Sequence, residues 1–290
     1  MTLAQLIPVL LQLSVGLVVL GLGLQTAPGD LTYLLRRPAL LVRSVLAMNV
    51  VAPLVAAAIA TGLHLAPELE VALVLLAVSP VPPVLPKKQV KAGGSSSYAI
   101  GLLAFSAVLS IVAVPVSMAV IGRAFGVPLH VPAMLIARVV GVTALAPLLV
   151  GVLVLSLAPG AARRLSKPLS RIGSMLLGAL TVVVLAGSWR GLTGAMGGFA
   201  VMAVVAFVLV SLVAGHVLGG PDEDDRTVLA LATASRHPGV ALTIAGAVAP
   251  DRPAVSAAVM LAFLVSLLAT GPYAKRRTQA AAPATPAKGA

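Results

Sequence analysis

The chain has 290 residues, 59% of them hydrophobic and only 10% charged, with a mean hydropathy of +1.09. Soluble domains carry roughly 25% charged residues, so this composition excludes one and points to an integral membrane protein in contact with the lipid bilayer. The absence of cysteine removes disulfides and thiolate metal sites, and a net charge of +12 with 3% aromatics lacks the basic, aromatic-interleaved surface of a nucleic-acid binder.

At about 20 apolar residues per crossing, nine transmembrane helices are expected, near residues 3–25, 40–63, 69–92, 98–122, 131–157, 170–189, 196–218, 226–249 and 253–273. The first run has no Lys or Arg before Arg36 and exceeds the apolar stretch of a secretory signal, so it reads as a retained span. Basic residues gather at 36–43, 87–91, 163–171, 226 and 275–277, whereas Arg123, Arg190 and Arg252 fall on the other side. The positive-inside rule then sets the N-terminus outside and the C-terminus in the cytoplasm of a multi-pass plasma (inner) membrane protein. The acidic run Asp222–Asp225 is expected to be a solvated inner turn. The stretch 274–290, basic and then Ala/Pro-rich, is expected to be a disordered tail.

Two spans are interrupted. In Ser79–Lys91 the prolines Pro80, Pro82, Pro83 and Pro86 cannot share one regular helix, because each removes a backbone donor and clashes with the preceding turn. In the eighth span, Pro238 and Gly239 break the helix beside Ser235, Arg236 and His237. The third and eighth spans would run in opposite directions. Opposed broken helices in corresponding halves are the mark of an inverted-repeat transporter with a site near the midplane. The fold class is thus an all-α integral membrane protein whose third and eighth helices are broken and cross. Residues 1–273 would form one transporter domain.

On these residues the chain resembles the bile acid:sodium symporter family. The carriers of the likeness are Gly21–Leu31 (GLGLQTAPGDL), Asn49 four residues before Pro53, Ser79-Pro80 and Thr233–Leu242 (TASRHPGVAL). The resemblance implies a panel and a core subdomain, with the broken helices crossing in the core and an organic-anion site near the crossing. It also implies a first repeat over 1–122 that lacks one helix, and a second repeat over 131–273. Aligned from Ser79-Pro80, the positions where the family carries sodium ligands hold Leu85, Pro86, Ile100, Ala104, Ala232 and Arg236. The eight acids of the chain fall in loops or at span ends, so no carboxylate is expected at mid-membrane and no metal ligand set is assigned.

The expected substrate-binding set is Lys87, Lys88, Arg236, His237, Ser79, Ser235 and Asn49. Lys87 and Lys88 could equally anchor the inner surface, and Arg236 could hold frayed carbonyls of the break. The expected function is secondary transport of a small organic anion by alternating access, coupled to protons or running as exchange or uniport. Sodium coupling through backbone and hydroxyl ligands is the first alternative, and a membrane-embedded anion sensor the second. An enzyme is not expected, since no acid/base or metal constellation lies at depth. No cofactor is expected, and the sequence does not specify an oligomeric state.

Overall fold

The computed structural model describes residues 3–63, 65–124, 130–195 and 198–281, and its regular structure is helical throughout. In chain order the helices are α1 (Leu3–Gly23), α2 (Pro28–Leu31), α3 (Pro38–Gly62), α4 (Pro67–Val78), α5 (Leu85–Lys91) and α6 (Ser96–Ala124). There follow α7 (Ala133–Leu157), α8 (Pro159–Ala195), α9 (Gly198–Leu218), α10 (Glu223–Ala234), α11 (Pro238–Val248) and α12 (Pro253–Ala281). Six of them open on a proline, which is preorganised for the first turn and has no N–H to leave unpaired there. Among the described residues, five helices are long and apolar enough to cross a membrane: α3, α6, α7, α9 and α12. The protein is therefore a membrane-embedded helical bundle.

Helices α3 and α7 each contain a π turn, Leu46–Val51 and Gly141–Leu145, with a proline two residues further on, Pro53 and Pro147. A proline cannot donate to the carbonyl behind it, and the wider turn accommodates its ring without ending the helix. This has a consequence at the site, because in α3 the widened register runs from the Ala52 N–H to the Ala47 carbonyl. The next donor would be Pro53, so the carbonyl of Met48 is left without a helical partner.

Helix α1 packs on α7 and α8 through small residues that let backbones touch. A Cβ on Gly151 would lie 2.7 Å from the Cα of Gly23, and one on Gly173 would lie 2.8 Å from the Ser14 carbonyl. The larger core joins α3, α4, α6, α7, α9, α10, α11 and α12, with Leu73, Leu75, Phe207, Leu231, Ile244 and Val259 enclosed. Tyr98 of α6 is buried against Leu34, Leu102 and Leu229, and its hydroxyl pairs with Ser44 at 2.8 Å.

The cationic ends of the helices meet at one end of the bundle. Glu223 bridges Arg226 at 2.8 Å and Arg277 at 2.6 Å, and Arg37 lies over the Tyr33 ring and 3.6 Å from Asp225. The acidic run is thus not a purely solvated turn: Asp225 is buried, one carboxylate oxygen lacks a partner among the described residues, and burial, reinforced by Asp224, pushes its carboxyl up to about 6. The tail also departs from expectation. Residues 274–281 continue α12 because Arg277 binds Glu223 and Thr227, while the Thr278 hydroxyl donates to the Lys91 carbonyl at 3.0 Å. Residues 282–290 lie outside the described residues.

Candidate functional site

The two interruptions touch. After α4 ends at Val78 the chain is irregular until α5 begins at Leu85, and after α10 ends at Ala234 it is irregular over Ser235–His237. The His237 N–H donates to the Pro80 carbonyl at 3.0 Å, joining one break to the other. The prolines divide their work. Pro80, Pro82 and Pro83 lie in the irregular stretch, but Pro86 does not break a helix: it sits in the first turn of α5, where a proline is tolerated. Pro238 and Gly239 likewise open α11.

Arg236 is 4% exposed and spends three donors on main-chain carbonyls. Its Nη2 reaches Met48 at 2.6 Å, its Nη1 reaches Ser79 at 3.2 Å and its Nε reaches Thr233 at 3.1 Å. Each acceptor is a carbonyl that regular structure cannot satisfy, at a π turn, past a helix end and in a last turn respectively. His237 caps α11, its Nδ1 accepting from the Gly239 N–H at 3.1 Å, while its buried Nε2 has no partner among the described residues. The Ser79 hydroxyl folds back to the Leu75 carbonyl at 2.7 Å, so Ser79 serves the crossing through its own carbonyl. Asn49 is half-buried in the π turn beside Met48 and does not line the cavity described next.

A cavity of about 180 Å³ lies beside the crossing. Its polar wall is Lys88, Ser235, Arg236 and Ser266, and its apolar wall includes Pro82, Leu85, Phe207 and Phe263. Lys88 Nζ donates to the Thr270 hydroxyl at 2.6 Å. Lys87 points elsewhere, toward α8, where its Nζ reaches the Ser170 carbonyl and the Ser174 hydroxyl, both at 3.1 Å. Of the seven residues expected to bind substrate, then, the fold brings Lys88, Ser235 and Arg236 to one cavity. Ser79 and His237 build the crossing behind it, and Lys87 ties α5 to α8. Ser266 and Thr270 were not anticipated, although two hydroxyls four residues apart in an apolar helix, one turn on the same face, were a usable signal.

A second cavity of about 500 Å³ opens at the end of the bundle opposite the basic cluster, between Thr61, Glu70, Asp251 and Arg252. Leu75 lines this cavity and its neighbour Leu76 lines the first. The last turn of α4 therefore has one cavity on each side.

An apolar helical bundle, two interrupted helices joined at their breaks and a cation-lined cavity beside them define a membrane-embedded protein built around a polar crossing. A model of the Sodium Bile acid symporter family matches residues 12–193, more than half of the chain, and the chain belongs to that family of transporters. The match includes the first interruption and ends before the second. A comparison with curated proteins finds no match.

Proposed function

We propose that the protein is a secondary transporter that moves a small organic anion across the plasma membrane by alternating access. The observation that carries this reading is the cavity at the crossing. Its available cation, Lys88, faces Ser235 and Ser266 on the polar side and Phe207 and Phe263 on the apolar side. A carboxylate or sulfonate would pair with Lys88 Nζ, which would exchange its bond to Thr270 for a charge-assisted one. A short apolar body would lie against the two phenylalanines. The volume favours a small acid over a steroid-sized one.

In this reading nine helices span the bilayer, α4/α5 and α10/α11 each counting as one broken span, with the N-terminus outside. Helix α1 with α7 and α8 forms the panel, and α3–α6 with α9–α12 form the core. The two cavities are the two half-access routes, and the α4 turn at Leu75–Leu76 separates them. Lys87, bonded to α8, links the panel to α5 and would have to release as the panel rocks. Transport is by proton coupling, exchange or uniport.

The experiment is a thermal-shift screen of keto acids, hydroxy acids, sulfonates and bile acids, followed by proteoliposome uptake of the best stabiliser under imposed sodium and proton gradients. Uptake that Lys88→Ala abolishes supports the reading. Stabilisation without flux under any gradient would indicate an anion sensor instead, and flux strictly dependent on sodium would overturn the sodium-free form of coupling.

A further inference from the structure

We propose that Arg236 is a built-in cation: its guanidinium fills a carbonyl-lined position at the crossing that a monovalent metal ion would otherwise occupy, making the crossing independent of sodium. For its bearing on coupling this inference rests on the transporter reading above. The geometry does not depend on it.

Three observations carry the inference. First, the acceptors around Arg236 are all main-chain carbonyls, those of Met48, Ser79 and Thr233, drawn from three separate segments. Oxygen atoms of this kind serve sodium as readily as they serve an N–H, and unwound carbonyls with half-helix C-termini are the usual cation ligands of broken-helix transporters. Second, two helix C-termini face the site, and no ion pair among the described residues reaches it. Helices α4 and α10 both end here, at Val78 and Ala234, and each C-terminus presents a partial charge of roughly −0.5. The N-terminus of α11 at Pro238 opposes them in part and is capped by His237, while Arg236 bonds the carbonyls of Ser79 and Thr233 directly. Third, the ion pairs among the described residues are formed by Glu223 and Asp225 at the basic end of the bundle, so none of them involves Arg236. A guanidinium that is 4% exposed is held there by three main-chain carbonyls.

Pro53 explains the shortest of the three bonds. Because it cannot donate within the π turn, the Met48 carbonyl is free, and it accepts from Arg236 at 2.6 Å. A family whose name carries sodium is thus represented here by a chain in which a tethered charge stands among the carbonyls. Sodium does not fit at this position while Arg236 occupies it.

The test uses the purified full-length chain in detergent, with NaCl compared against KCl and choline chloride at about 150 mM to hold screening constant. The wild type is expected to melt at the same temperature in all three salts. Arg236→Gln removes the charge but keeps an amide donor. It is expected to lose about 5–10 °C in choline and to recover most of that loss in sodium. If Arg236→Gln cannot be isolated folded, Arg236→Lys decides: a folded protein with the same melting temperature in each salt supports the proposal. Sodium stabilisation of the wild type overturns it, as does an Arg236→Gln variant whose melting temperature is unchanged or is lowered without recovery in sodium. A Lys variant that folds only in sodium, or not at all, also overturns it, because a fixed charge would then not suffice. None of these readings needs a substrate, so an absence of anion uptake would count against the transporter reading and leave this one standing.

Discussion

Asp225→Asn should stabilise the protein at neutral pH, although it deletes one partner of an ion pair. The carboxyl is buried, its Oδ1 lacks a partner among the described residues, and it sits beside Asp224, with Arg37 3.6 Å away. Its folded value is pushed up from 3.8 to about 6. Below the lower value, folded and unfolded chains both hold the proton. Between the two, the folded chain binds more protons than the unfolded one, so stability falls as pH rises through that window and stays lower above it. Two pH units correspond to about 3 kcal/mol. The Arg37 side chain is 50% exposed and water screens the pair, so about 1–2 kcal/mol is the working figure. For a domain of this size that is about 2–8 °C. Thermal unfolding of the detergent-purified protein should therefore give a higher Tm for Asp225→Asn than for wild type at about pH 7.5, with the two converging near about pH 4. A variant less stable than wild type at the higher pH would mean that the Arg37 pair outweighs burial, and identical pH slopes would mean that Asp225 titrates normally; either result refutes the reasoning.

Lys88→Met keeps the length and packing of the side chain and removes its charge. It should weaken binding of the stabilising anion about 10- to 100-fold, the equivalent of about 1.5–3 kcal/mol for a charge-assisted bond, as read by isothermal calorimetry. Lys87→Met should change the same constant by less than about threefold, since its bonds go to α8; a loss matching that of Lys88→Met would move the site. Gly151→Ala drives a methyl into the Gly23 backbone and should destabilise by about 1–3 kcal/mol, and an unchanged Tm would argue against the close packing of α1 on α7. Tyr98→Phe leaves the ring in place and should destabilise by about 1 kcal/mol through the lost Ser44 bond, measurable by the same unfolding assay.

Pattern alone was a good guide wherever a local rule governed the outcome. Long charge-free runs become helices because an apolar solvent demands internally satisfied backbones, and the interruptions at Ser79 and Ser235 follow from proline chemistry whatever the fold. The details near Pro86 and in 274–281 were not legible in this way. A proline at the first turn of a helix and one in its interior look the same until the helix start is known. The tail is ordered by Glu223 and Thr227, which lie about 50 residues earlier in the chain.

The sequence by itself determined a membrane-embedded helical bundle with two proline-marked interruptions, because composition and backbone covalency act locally. Only the tertiary structure decided what the charges near the breaks do. Lys87 and Lys88 are neighbours in sequence, yet one step along a helix turns a side chain by about 100°, so one bonds α8 and the other faces the cavity. Arg236 was legible as a costly charge needing a partner. That its partners are carbonyls of α3, the α4 end and α10, and that Pro53 frees one of them, depends on contacts between residues up to 188 positions apart, which no local pattern encodes.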